Sequence, residues 1–71
     1  LMWTLQEKIY HTNAMADAIM RGEDSYRIDR LDDNGAFTTF VNLPSPQRAG
    51  TGMQQRTYAM TKAMDIVSDI G

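Results

Sequence analysis

The spacing of apolar residues changes twice along the chain. Apolar residues recur every three or four positions over about 4–21 and again over about 52–70, which predicts two amphipathic helices. Between them, two runs rich in β-branched and aromatic residues flank an Asn-Gly pair, which predicts a β-hairpin over about 26–43. The segment 44–51 contains Pro44, Pro46 and Gly50 and is expected to be a loop. We therefore predict a single small two-layer α+β domain spanning residues 1–71, with both helices packed on one face of the hairpin sheet.

The Asn34-Gly35 pair determines the predicted register of the hairpin. A type I′ turn needs positive φ at both central residues, and these two residue types tolerate it. With Asn34-Gly35 at the tip, Ile28 lies opposite Val41. One face of the hairpin is then a core face that carries Tyr26, Ile28, Phe37, Val41 and Leu43.

The other face of the predicted hairpin is mostly polar. It carries Leu31 and Phe40, which this register makes diagonal neighbours across the two strands. We expect them to form one exposed apolar spot. The free strand edges invite a third strand over about 47–50 or pairing with another copy of the chain.

Both helices have recognisable N-terminal signals. Thr4 with Glu7 and Thr51 with Gln54 have capping-box spacing, and Gly22 fits the position after the first helix. The expected core stripe of the first helix is Met2, Leu5, Ile9, Ala16, Ile19 and Met20. The expected core stripe of the second is Met53, Met60, Ala63, Met64, Val67 and Ile70, widened by Ala59 and Ile66.

A second, narrower apolar stripe is predicted on the first helix. Trp3, Tyr10 and Ala14 fall opposite its core stripe. Two aromatic residues on one exposed face are typical of a protein interface. We therefore predict a partner interface that comprises Trp3, Tyr10 and Ala14, together with Leu31 and Phe40 of the hairpin.

The size and composition of the chain favour association with another protein chain over catalysis. The chain has 71 residues, no cysteine and a net charge of −2. A domain this small has a marginal core and here lacks disulfides, so association with itself or a partner is the expected source of further stability. No apolar run is long enough for a membrane span, which makes a soluble, cytoplasmic protein the default expectation.

The residues with reactive side chains do not form a catalytic or metal-binding pattern. His11 with Glu7 one turn earlier supplies two metal ligands where a zinc site needs three or four, so a surface Glu-His pair is expected. Asp32, Asp33 and Asn34 lack the spacing of a calcium loop and fit turn chemistry. No nucleophile with a positioned base is evident. We predict no enzyme activity, no cofactor and no metal site.

The start of the second helix is a candidate anion site. Helix N-termini attract anions, and glycines let a backbone approach a ligand closely. The residues concerned are Arg48, Gly50, Thr51, Gly52 and Arg56. The alternative is an ordinary capped helix after a flexible turn.

The order helix, strands, helix, with Gly50 and Gly52 before the last helix and Ala59 and Ala63 within it, resembles a double-stranded-RNA-binding domain. That family grips phosphates with a lysine cluster at the start of the last helix. Here the corresponding residues, 53–56, supply one positive charge. We therefore expect a non-enzymatic protein-interaction or structural subunit that associates with itself or a larger assembly, with nucleic-acid binding as the alternative.

Overall fold

The protein is a helix, a two-stranded antiparallel hairpin and a second helix. A computed structural model describes residues 3–48 and 50–70. The elements are α1 (Leu5–Arg21), β1 (Ser25–Asp32), β2 (Gly35–Asn42) and α2 (Gly52–Ile70). The helices pack against each other and against the hairpin, which confirms the predicted α+β class. No helix within the described ranges is long and apolar enough to cross a membrane.

The predicted helix signals are confirmed. The Thr4 amide donates to Glu7 Oε1 at 2.8 Å, and the Glu7 amide donates to Thr4 Oγ1 at 3.1 Å. Thr51 and Gln54 make the same reciprocal pair at 2.9 and 3.2 Å. Gly22 ends α1 with φ 82°, a conformation that glycine adopts without strain. Each pair satisfies backbone donors that the first turn of a helix leaves without partners.

The predicted hairpin register is wrong by two residues. Ile28 pairs with Thr39 and not with Val41, and the turn residues are Asp33 and Asn34. Neither has positive φ, since only glycines do so among the described residues, so the turn is not type I′. Gly35 instead begins β2 with φ 112°. The Asn-Gly pair thus supplies one turn residue and one strand residue.

The two faces of the hairpin are nevertheless those predicted, because a two-residue shift preserves the alternation of side chains. Ile28 is fully buried, and Tyr26 and Val41 pack partly buried against the core. Phe37, on the same face but nearer the turn, stays 39% exposed. The opposite face is exposed throughout, at Ser25, Arg27, Asp29, Leu31, Ala36, Thr38, Phe40 and Asn42.

The expected apolar spot of Leu31 and Phe40 does not form. Leu31 lies opposite Ala36 and Phe40 opposite Arg27, so the Asp29–Thr38 pair separates them. Four residues along a strand correspond to about 13 Å. The two side chains are exposed but are not neighbours.

The predicted third strand is also absent from the described part of the chain. The sheet has two strands, and 43–48 has no regular structure, while Ala49 lies outside the described residues. The Tyr58 hydroxyl donates to the Ser45 carbonyl at 3.1 Å and holds this loop against α2. Both edges of the sheet therefore lack a partner strand within the described residues.

The core lies between the helices and the base of the hairpin. Its largest fully buried side chains are Met15, Ile19 and Ile28. Small residues form the helix contact and let the two backbones approach closely: Ala16 of α1, and Ala59 and Ala63 of α2. Together with Trp3 and Val67, which are also buried, they make a small core, as expected for a chain of this length.

The predicted core stripes are only partly correct. Ala16 and Ile19 are buried, whereas Leu5 and Ile9 are 74% and 56% exposed and Met20 is also exposed; Met2 lies outside the described residues. In α2, Met53 and Met64 are 80% and 56% exposed. The contact follows the alanines of α2, so the methionines beside them remain at the surface.

Candidate functional site

Trp3 lies in the core and not on an exposed stripe. It is 6% exposed, and its indole Nε1 donates to the Val67 carbonyl at 2.6 Å. The prediction that places it beside exposed Tyr10 and half-buried Ala14 is wrong in this respect. Trp3 precedes the N-cap Thr4, which has extended backbone, so helical spacing does not apply to it.

Trp3 and Arg30 donate hydrogen bonds to carbonyls at the C-terminal end of α2. The last carbonyls of a helix lack intrahelical partners and carry partial negative charge. The Val67 carbonyl accepts from Trp3, and the Ile70 carbonyl accepts from Arg30 Nη1 at 3.3 Å. The Arg30 guanidinium also lies 3.8 Å from the centre of the Trp3 ring. These contacts fasten the end of α2 to the start of the chain and to β1.

His11 belongs to an aromatic cluster that joins α1 to β1. Its Nδ1 is 2.9 Å from the Tyr26 hydroxyl, and its ring centre is 5.0 Å from that of Trp3 and 5.1 Å from that of Tyr10. Burial lowers the pKa of His11, an effect that nearby Glu7 opposes. Burial also raises the pKa of Tyr26.

The geometry of this cluster indicates a structural role. The Glu7 carboxylate accepts from the Thr4 backbone, and this bond lowers the pKa of Glu7. The hydrogen-bonding partner of His11 is Tyr26, so the expected Glu-His pair is not the contact that His11 makes. Among the described residues, no three His, Asp or Glu side chains group as metal ligands.

Asp29, on the exposed face of the hairpin, has two partners. Asp29 accepts from the Thr38 hydroxyl at 2.7 Å and from Arg27 Nε at 3.0 Å. The Thr38 hydrogen bond, followed by the one from Arg27, lowers the pKa of Asp29. Asp33 and Asn34 form the turn.

The residues predicted to bind an anion do not all lie free at one site. Gly50, Thr51 and Gly52 lie at the start of α2, and exposed Arg48 belongs to the preceding loop. Arg56, however, forms an ion pair with Asp17 of α1. Anion binding at this helix end stays a prediction, and Arg56 has another partner.

An exposed apolar surface lies on the paired helices. We call it the helix-pair surface and define it by the exposed or half-buried apolar residues Leu5, Ile9 and Met20 of α1 and Met53, Met60 and Met64 of α2. Ile9, Met60 and Met64 line one depression between the helices, and Leu5 and Ile9 line a second along α1. The residues that line these depressions all belong to the two helices.

One ion pair interrupts the helix-pair surface. Arg56 bonds Asp17 and also lies 3.5 Å from Met20 Sδ. Both charged side chains are about half exposed, at 47% and 49%. The surface is therefore an apolar strip with a charge pair near the end where α1 finishes and α2 begins.

Periodicity misses this surface because it assigns every methionine of the α2 stripe to the core. Ala59 and Ala63, four residues apart, are the signal that could have corrected it. Small residues at that spacing mark the line of closest helix approach. Met60 and Met64 each follow one of these alanines and so lie to one side of that line.

Comparison of the chain with protein-family models, curated proteins and solved structures finds no match.

Proposed function

We propose that this chain is a non-enzymatic interaction subunit that binds a protein through the helix-pair surface. The observation that carries the proposal is the exposure of Leu5, Ile9, Met53 and Met64 on one helical layer. Several exposed apolar side chains on one layer of a small domain are typical of a protein contact. Methionine suits such a contact because its flexible thioether adapts to different partner shapes.

The charges favour a protein partner over a nucleic acid. Arg21 and Arg27 pair with acidic neighbours at 3.0 Å, and Arg56 pairs with Asp17. Arg30 stacks on the core tryptophan. Nucleic-acid binding depends on basic groups that are available to phosphates. Since these four of the five arginines already have partners, the charges support a protein partner.

Site-specific photo-crosslinking tests this proposal. A photoreactive residue replaces Met64, or in a matched control replaces Phe40, which is exposed on the outer face of the hairpin. The variants are irradiated in the cells that encode the protein. We expect defined protein adducts from position 64 and none, or far fewer, from position 40.

The outcomes test the surface, whichever protein the partner is. Adducts to another copy of the chain or to a different protein both support the interaction function. Absence of adducts from position 64, or equal adducts from both positions, contradicts the assignment of the helix-pair surface.

A further inference from the structure

We infer that the helix-pair surface is covered by a second copy of the same chain, related to the first by a two-fold axis that runs along the groove between α1 and α2. This inference rests on the proposed function and names its partner. It follows from the way in which charged and apolar residues are distributed along the groove.

The two helices are antiparallel, so residues distant in sequence lie at the same height. Asp17 near the end of α1 contacts Arg56 near the start of α2. Ile9 and Met64 define a second level, where they line one depression that the polar residues Lys8, Asn13 and Ser68 also line. Eight residues of helix separate Ile9 from Asp17, which corresponds to about 12 Å.

A two-fold axis along the groove preserves these heights and exchanges the helices. It sets α1 of one copy against α2 of the other. Ile9 then faces Met64 of the second copy, and Asp17 faces Arg56 of the second copy. Apolar residues meet apolar residues, and each acid meets a base, as a self-complementary interface requires.

The charges distinguish this axis from one that runs across the helices. An axis across the helices reverses the heights. Placed midway between the two levels, it sets the Asp17–Arg56 pair against the level of Ile9 and Met64, and placed at the charged level, it sets Asp17 against Asp17 of the second copy. The charged side chains then lose water and gain no partner of opposite charge, which is costly. When the axis runs along the groove, Asp17 and Arg56 of the two copies instead form one group of four alternating charges.

The available area is sufficient for a modest dimer. Helices of 17 and 19 residues give a face about 25 Å long and, for two helices about 10 Å apart, roughly 20 Å wide. Its accessible area exceeds this projection because side chains are corrugated. Stable interfaces bury about 600–1,000 Å² on each partner. The whole face of the paired helices, which includes the helix-pair surface, falls near the lower end of that range.

Charge reversal tests the axis. Asp17→Arg gives a chain with two positive groups at the charged level, and Arg56→Asp gives a chain with two negative groups. Each variant alone should dimerise more weakly by on the order of tenfold or more, because like charges then face each other. An equimolar mixture should form heterodimers within about threefold of the original affinity, since opposite charges again meet across the axis.

Both variants lack the Asp17–Arg56 ion pair within the chain. Any affinity that the mixture regains therefore comes from contacts between the two copies. Dimer formation is measured by sedimentation, with one variant carrying a mass tag and the fold of each checked by far-ultraviolet circular dichroism. Arg27→Asp is the matched control, since Arg27 is an exposed, ion-paired arginine on the hairpin. It should leave the dimerisation constant unchanged.

A second measurement covers the case in which a charge variant does not fold. The chain has no cysteine, so Ile9→Cys and Met64→Cys introduce single thiols. Under a mild thiol oxidant, the mixture should give mainly the mixed disulfide between the two variants. Statistical formation of all three disulfides, or none, overturns the proposed axis.

The inference also fails if the charge-reversed mixture associates no better than either variant, or if the unmodified chain is monomeric at every concentration. If self-association fails these tests but position 64 crosslinks to a different protein, the proposed interaction function still holds. If position 64 forms no protein adduct, both proposals fail.

Discussion

Trp3→Phe tests whether the start of the chain is part of the core. The indole is 6% exposed and donates to Val67 at 2.6 Å, while Arg30 stacks on its ring at 3.8 Å. Phenylalanine retains an aromatic ring but removes the donor and part of the buried volume. The Val67 carbonyl then loses its donor, and the contact between Arg30 and the aromatic ring becomes weaker.

The expected loss is about 2–3 kcal/mol in the free energy of unfolding. The hydrogen bond contributes about 1 kcal/mol, the missing ring atoms roughly another, and the weaker cation–π contact about 0.5 kcal/mol. A chain of 71 residues has a total stability of about 4–10 kcal/mol at ordinary values per residue. Trp3→Phe therefore removes a large fraction of it without abolishing folding.

Urea denaturation followed by circular dichroism measures this loss. With a slope of about 1 kcal/mol/M for a small domain, the midpoint should fall by roughly 2–3 M. Tyr10→Phe is the control, because Tyr10 is an exposed aromatic residue and should change stability by less than about 0.5 kcal/mol. Equal midpoints for Trp3→Phe and the unmodified chain would refute the core position of Trp3.

Two further predictions concern the hairpin and pH. Gly35→Val should cost about 1–3 kcal/mol because φ is 112° there, and the cost is conformational since a Cβ at this position would meet no neighbouring atom. Gly52→Ala, with similar space in a helix, should be neutral or stabilising, and equal effects on the denaturation midpoint would contradict the positive φ of Gly35. Burial lowers the pKa of His11 below its ordinary value of about 6.5, so the unfolded chain takes up the proton first. The contribution of His11 to the free energy of unfolding should be constant above this ordinary pKa and should fall as the pH drops below it. Glu7 opposes this shift of the His11 pKa, and Arg30 adds to it. His11→Gln should remove this slope in denaturation midpoints between pH 7 and 5, and an unchanged slope would exclude His11 as its source.

The local signals of the sequence predict the elements well because each depends on a few adjacent residues. The two capping boxes and Gly22 place the helix ends, and the alternation of side chains places Ile28 in the core. The register is not predictable in the same way. Asn-Gly fits more than one position in a turn, and the choice depends on backbone angles that the residue types alone do not determine.

The helix-pair surface is not predictable from periodicity because periodicity treats each helix alone. The line of contact between α1 and α2 follows the buried alanines of both helices, and Met64 is displaced from it as a consequence. Helical spacing misplaces Trp3 for a related reason, since this residue precedes the helix. The first error concerns the contact between two helices, and the second concerns a residue that lies outside the helix.

The solution mass of the unmodified chain across a range of concentrations is the decisive measurement for self-association through the helices. The chain has a mass of 8.0 kDa. We predict that the mass rises towards twice that value with concentration, and that Met64→Glu keeps it at the monomer value while the chain stays folded. A mass of 8.0 kDa at every concentration, or a dimer that Met64→Glu does not weaken, would contradict self-association through the helix-pair surface.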